Sequence, residues 1–413
     1  MKYSWRGREP RATALLIGAG PEQVPVIDIA HELEVAVVAV DGDARAAGLA
    51  DADASYALDL RDTGAIIERA RAHGCRFVLP APIGAFLTTV GAVNDALGFP
   101  GLSERAAHSC TDKELAQRCL REASLPVADS ASVSEAQPAA VAAAAERLGY
   151  PVVVKPSRGS GSRGVFVAQS RADVDRLAPW HLEERARLPA PQTTVVERLI
   201  AGRELGIDGA MIGAYLELIL VRDKELTPLP HRLGYGYLAP AAIDAPTTAA
   251  VADAVGRAAR AFGLRDCLLH ADVIVDDRGG AHVIELAGRP SGFHICSRMI
   301  PATLGVSPMR EIIALLLGDR ADLAARFQRG SVLRMLRAET GTVRQVIGID
   351  EALAMPGVVA CETYLRRGDL VQPMVDGRTG FRCGYLLAAG ADRAQAEQRW
   401  QAAASCIRWE MEP

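Results

Sequence analysis

The chain has 413 residues, with 46 Lys+Arg against 50 Asp+Glu for a formal charge of −4, and 49% of its positions are hydrophobic while only 5% are aromatic. That length allows two or three packed domains, and that polarity is enough to fill their cores. A near-neutral, slightly acidic balance gives no chain-wide attraction for nucleic acid or an anionic membrane, so neither is expected as a partner. The eight cysteines form no CxxC pair and no zinc-finger spacing, and they read as isolated core thiols of a reducing compartment. The basic start MKYSWRGREPR precedes a short apolar run that ends in GAGP rather than a cleavage site. No segment reaches the roughly 18 apolar residues needed to span a bilayer. The expected address is the cytoplasm.

Residues 12–100 alternate short apolar runs with helix-like stretches: ATALLIG, a helix from about Glu22, EVAVVAV, a helix through AIIERARAH, then RFVLPAP. This alternation predicts a parallel sheet of three or four strands with crossover helices, a small α/β domain over 1–108. Next come a helix from about Thr111-Asp112-Lys113 and an alanine-rich helix at PAAVAAAAERLGY; Pro151 then introduces the strand VVVKP, with GSGSRG directly after it. TTVVERL, RELGIDGAMI and AYLELILVRD read as strands, TTAAVADAVGRAARAFG as a helix, and CLLHADVIV and GAHVIELA as two more strands. The region 109–318 is thus α+β. After about Asp319 a helix is expected, then strands near SVLRML and VRQVIG, a run of turn signals and a closing helix at AQAEQRWQAAA, so 319–413 reads as a β-rich unit.

Three features point to nucleotide chemistry. The first is LIGAG at 16–20, followed by Asp41 at the end of the next predicted strand, which partly matches a dinucleotide fingerprint but lacks its third glycine. It keeps NAD binding as a competitor to a plain tight turn. The second is VVVKPSRGSGSRGV, where a lysine at the end of a β-run, Lys155, precedes a loop of glycines and serines. Such a loop wraps backbone N–H groups around phosphate oxygens, because glycine lets the chain approach closely. GxxxxGK[ST] occurs nowhere, so this is no P-loop. The third is the pair Asp272 and Glu285. Their segments flank Asp276-Asp277-Arg278-Gly279-Gly280, a hairpin signal. A four-residue loop over 277–280 places 276 opposite 281, and therefore 272 opposite 285, with Cβ atoms about 5 Å apart. Two facing carboxylates repel unless a hard divalent cation, itself bound to phosphates, turns them into a ligand set.

In this order and spacing, these residues resemble the ATP-grasp superfamily of carboxylate–amine ligases over nearly the whole chain. The resemblance implies a small parallel-sheet N-terminal domain, an ATP-grasp core of two α+β subdomains (a nucleotide flap about 125–195 and a metal-binding part about 196–318) and a β-rich C-terminal subdomain. It implies that Lys113, in TDKELAQRCL, and Lys155 contact ATP phosphates, that Ser160, Gly161, Ser162 and Gly164 belong to the flap over them, and that VVERLIAGRE is the hinge. Glu197 and the backbone of Leu199 and Ile200 would then meet adenine, and Glu204 the ribose. Asp272 and Glu285 resemble ligands for Mg²⁺, with Mn²⁺ as a substitute, and Arg289 the cation on the transferred phosphoryl group. Ala287 stands where many members carry asparagine, which puts a full two-metal set in doubt. The form Glu285-x-Ala287-x-Arg289, then Ser291-Gly292-Phe293, is most similar to the L-amino-acid ligase (dipeptide synthetase) branch, in which Phe293 would help shape an amino-acid pocket with Gly292.

By that resemblance, ATP would convert a substrate carboxylate into an acyl phosphate, and an amine would displace phosphate to leave an amide or dipeptide, with ADP as the other product. The substrates would be small-molecule carboxylates and amines, amino acids first. His231 and His294 are candidates for positioning substrate or taking a proton from the amine, and Arg298 and Arg222 for meeting an anionic group. A biotin-carboxylase-like enzyme that activates bicarbonate, an NAD(P)-binding enzyme using the GAG turn, and a non-catalytic nucleotide-binding regulator are the competing readings. A homodimer is the default assembly.

Overall fold

The computed structural model describes residues 9–188 and 192–412. Residues 1–8, 189–191 and 413 lie outside the described residues; they include the basic start and part of the region expected over 125–195. Among the described residues no single helix is long and apolar enough to cross a membrane.

The first sheet is parallel throughout, in the order Ala54–Ala57, Val35–Asp41, Ala12–Ile17, Cys75–Val78. Its two central strands are apolar on both faces because both are covered. Ala14, Leu16, Val37 and Ala39 enter one core, and Leu15, Ile17, Val38 and Val40 the other. The edge strand Ala54–Ala57 is only four residues long, with alternate positions exposed, which is why no apolar run announced it.

A second, antiparallel sheet has the order Ser130–Val133, Thr194–Arg198, Val152–Pro156, Phe166–Ala168, and the helices Pro138–Leu148 and Arg171–Ala186 close over it. The glycine loop lies between Pro156 and Phe166, bridging the third and fourth of these strands.

The third sheet positions the site. Its eight strands run Ala281–Ala287, Cys267–Val275, Arg203–Ile212, Tyr215–Leu226, Gly234–Ala239, Gly330–Met335, Tyr385–Gly390, Val358–Glu362. Strands from the C-terminal region therefore continue the sheet that carries Asp272 and Glu285. One face is covered by the helix Ala245–Phe262, whose Val251, Ala254, Val255, Ala258, Ala259 and Phe262 form one apolar stripe. Asp244 caps its start, accepting from the Thr247 N–H, and Gly263 ends it in the left-handed region at φ +79°.

Two expectations are corrected. Asp272 does face Glu285, but the hairpin register near the turn is one residue off: Val275 pairs with Ala281, Ile274 with His282 and Val273 with Val283. A bulge at Ile284 absorbs the extra residue and brings the two acids opposite each other. The helix expected after Asp319 is absent. Helix Pro308–Leu316 ends earlier, at Gly318 with φ +91°, and the chain then runs extended, with the Arg326 and Arg329 N–H groups donating to Leu304 and Thr303 carbonyls.

Within the third sheet Arg222 is completely buried beside Asp208, at 3.2 Å. It is closed off inside the sheet rather than presented at a surface for an anionic group, the role open to it in the sequence. Gly206 pairs with Arg222 on one side and Asp272 on the other, and a Cβ there would lie 1.3 Å from Arg222 Nη1. Gly206→Ala should therefore destabilise by about 3 kcal/mol or more, since it must displace a buried guanidinium; a urea-denaturation midpoint equal to wild type would contradict this packing.

Candidate active site

The start of helix Lys113–Glu122 is fixed by Asp112, whose Oδ1 accepts from the Glu114 and Leu115 N–H groups while its Oδ2 accepts twice from Arg158 of the glycine loop, at 2.8 and 3.1 Å. Helix and loop are thereby joined at the base of the site. Lys113 Nζ reaches the Gly159 carbonyl at 3.5 Å. Burial lowers the pKa of this ammonium, with Glu285 opposing and Lys155 adding to the effect. Lys155 and Glu197 are both buried and pair at 2.6 Å, and Gln117 donates to the same carboxylate.

Glu204, expected at a ribose, is held by two cations that the sequence did not single out, Lys224 at 2.6 Å and Arg232 at 2.7 Å. Lys224 also pairs with Asp272 Oδ2 at 2.7 Å. The Asp272 carboxyl, which burial alone would raise, is drawn below the usual carboxylate range by Lys224. The repulsion expected between Asp272 and Glu285 is thus already offset by an ammonium two strands away. Asp272 Oδ1 remains buried without a hydrogen-bond partner, and Glu285 forms no ion pair among the described residues. Glu285 and Asp272 Oδ1, the latter 3.6 Å from His270 Nε2, fit a single divalent cation that also holds phosphate. No cluster of three His, Cys, Asp or Glu side chains suited to a metal occurs among the described residues.

Two cavities meet here. One, of about 150 Å³, is lined by Lys113, Lys155, the loop 159–163, Glu197, Leu199, Ile200, Glu204 and Glu285. The other, of about 440 Å³, is walled by Gly84–Thr89 of the N-terminal region, the same glycine loop, Glu285 and Arg289. Ser160, Arg163 and Glu285 belong to both. Arg163 Nε is buried without a partner, and Arg289 donates to the Pro290 carbonyl, with no acid within ion-pair distance of it among the described residues.

The remaining candidates fall elsewhere. Gly164 lies at the foot of the loop, its carbonyl bonded to His181 Nδ1. His231 packs edge-on to Trp180 and lines a separate cavity with Arg337 and Met374. Phe293 is buried, stacked on Phe381 at 5.1 Å and near Tyr385, rather than on the walls of the two cavities that meet at Glu285. His294 stacks on Tyr385 and shares a hydrogen bond with the Tyr364 hydroxyl at 3.2 Å; burial pulls its pKa down to about 4. Arg298 pairs with Glu362 at 2.9 Å. In the GAG turn, Asp41 accepts from the Ala19 N–H through Oδ2 and from the Asp43 N–H through Oδ1. Both oxygens brace the local backbone, which is the plain-turn reading of that motif.

The chain is similar to known proteins over most of its length. Residues 148–297 match the ATP-grasp domain, and residues 334–412 match L-amino acid ligase C-terminal domain 2. The chain is 28% identical over 335 residues to the uncharacterized protein y4rH of Sinorhizobium fredii, covering 80% of this chain and 67% of that one. It is 25% identical over 289 residues to the L-arginine-specific L-amino acid ligase of Bacillus subtilis, covering 69% and 68%. The solved L-amino acid ligase from Bacillus licheniformis superposes with a TM-score of 0.84 at 18% identity, over 97% of this chain and 99% of that one.

The loop's anchor gives a pH signature. His181 is fully buried; Nδ1–H donates to the Gly164 carbonyl at 2.6 Å, so Nε2 accepts from the Thr194 hydroxyl at 2.8 Å, which in turn accepts from Arg185. Burial lowers its pKa from 6.5 to about 4. Between those values the unfolded chain binds the proton and the folded chain does not, so stability is complete above pH 6.5 and falls by roughly 3 kcal/mol on going down to pH 4. His181→Asn should start less stable but lose less over that interval; an unchanged slope would remove His181 as its source.

Proposed function

We propose that this chain, an ATP-grasp enzyme that forms C–N bonds and is most like the L-amino acid ligases, uses ATP to activate an amino-acid carboxylate as an acyl phosphate and joins it to an amine. The observation that carries this reading is the junction of the two cavities at Glu285 and the glycine loop. A nucleotide in the smaller cavity would present its terminal phosphate where a carboxylate in the larger one can reach it.

In this reading the hinge backbone at Leu199 and Ile200, with Glu197, receives the adenine, and Glu204 the ribose. Lys155 exchanges Glu197 for phosphate oxygens, and Lys113 adds a second ammonium. Asp272 Oδ1 and Glu285 would hold Mg²⁺, which when bound supplies positive charge to the phosphate oxygens. Arg289 faces the acyl group and steadies charge that develops as phosphate transfers and later leaves. The loop 159–164 covers the junction and keeps water from the activated acid. Nothing in this scheme requires a nucleophilic side chain.

Glu285→Gln should lower ADP formation by about 100-fold or more while leaving the melting temperature within a few degrees; Asp272→Asn should lower ADP formation as far and also lower the melting temperature, because it removes one of the two carboxylates paired with the buried Lys224. Lys155→Ala should weaken nucleotide binding. Hydroxylamine should trap a hydroxamate from the true acid substrate in a panel of amino acids, other acids and bicarbonate. Near-wild-type turnover by Glu285→Gln, or phosphate release with bicarbonate alone, would overturn the assignment.

A further inference from the structure

The corner that follows Arg289 is built from backbone that side chains avoid. Phe293 and His294 are consecutive and both left-handed, at φ +54° and +56°, a conformation unfavourable for bulky L-residues that persists only where surroundings over-determine it. Side-chain packing supplies part of the restraint, through the Phe293–Phe381 stack and the His294–Tyr385 stack. The backbone is restrained from another direction. Glu22, from the turn after the first strand of the parallel sheet, places its carboxylate against Gly292, where the three atoms nearest to a Cβ would all belong to Glu22, Oε2 at 3.1 Å first. Burial raises the pKa of this carboxyl, while the Phe293 and His294 N–H groups and Arg289 work the other way and favour its charged form. The turn is itself fixed, by Ala19 on Asp41, by the Gln23 N–H on the Gly20 carbonyl at 3.0 Å, and by the Gln23 side chain on the Pro82 carbonyl.

We propose that Glu22 is a positioning residue: by accepting two backbone N–H groups it locks the left-handed corner 292–294, and so fixes the path 289–291 that holds Arg289 on the wall it shares with Glu285. The assignment explains why Gly292 has no side chain although its own backbone does not demand glycine. It also gives the first sheet a part in the site that its GAG turn alone does not. The kinetic arm of the test rests on the ligase reading; the stability arm does not.

The test is a double-mutant cycle of Glu22→Ala and Gly292→Ala on the full chain, read by melting temperature and, with MgATP, acid and amine, by phosphate release. Gly292→Ala should lower melting temperature and kcat in the Glu22 background and have a much smaller effect on both when Glu22 is alanine, because the atoms nearest to the new methyl are gone. Glu22→Ala should reduce kcat tenfold or more with KM for ATP within twofold, and Glu22→Gln should recover part of that loss because its amide oxygen still accepts. Additive effects in the cycle would overturn the proposal. So would a rise in KM for acid or amine alone with kcat unchanged, which would make Glu22 a direct substrate contact. If no acid elicits phosphate release from the wild-type chain, the ligase reading fails while the melting-temperature cycle still decides the role of Glu22.

Discussion

A single buried ammonium makes the charged face of the large sheet tenable. Lys224 lies between Glu204 and Asp272, at 2.6 and 2.7 Å, and is itself almost fully buried. Strand pairing makes the arrangement unavoidable: Ile274 is opposite Glu204, Asp272 opposite Gly206 and His270 opposite Asp208, so one face collects Glu204, Asp208 and Asp272 in adjacent rows. Three acids in a low-dielectric interior would repel and lose hydration. Lys224 and Arg222, two residues apart on the neighbouring strand, face the same side and supply the compensation. Removing either cation strands a buried carboxylate, whereas the acids at the edge of this face are free to meet a ligand.

Much of this was legible in the sequence where the signal was local. The parallel sheet followed from uninterrupted apolar runs, and the glycine loop from its composition. The facing of Asp272 and Glu285 emerged from a hairpin count that was one residue out at the turn; the bulge at Ile284 restored it. A bulge leaves little trace in one sequence because it replaces one backbone hydrogen bond without a distinctive residue. Lys224, Arg232 and Glu22 were not legible at all. Each acts on a partner 20 to 272 residues away, and only strand order or the docking of the first sheet brings them together. The absent helix after Asp319 shows the opposite error: Asp322-Leu323-Ala324-Ala325 has helical propensity, but the Asp322 N–H donates to Glu311 Oε2, the Ala324 N–H to Asp322 Oδ1, and the Arg326 N–H that follows to the Leu304 carbonyl at the end of helix Ile300–Leu304, so side-chain and tertiary hydrogen bonding override a weak local preference.

The C-terminal region is more than a wall. Its strands extend the large sheet, and the Gly377 N–H donates to the Gly161 carbonyl at 2.8 Å, so the tip of the glycine loop is bound to a segment more than two hundred residues later. Close approach requires small residues on both sides: a Cβ on Gly377 would lie 3.3 Å from the Gly161 carbonyl oxygen and 3.0 Å from the Phe381 ring. Beside it Arg378 joins Asp376 and Glu184, each at 2.6 Å. Loop position is therefore set jointly by His181 at its foot and Gly377 at its tip, and a loop so held is costly to displace by one contact alone.

The distribution of paired and unpaired charge separates scaffold from site. Asp208 with Arg222, Glu204 and Asp272 with Lys224, Glu204 also with Arg232, and Asp112 with Arg158 are paired within the protein. Such pairs contribute little net stability in a buried setting, but breaking one is expensive, so they fix geometry. By contrast Glu285, Arg289 and Arg163 line the junction of two cavities without an opposite charge in ion-pair reach among the described residues. The three are only partly buried, so water can solvate them, and a ligand that replaces that water must supply the opposite charge. That the open charges lie together, one acid and two guanidiniums around one junction, is what a phosphate with its cation would complete. The closed pairs around them hold the strands in the register that keeps the junction open.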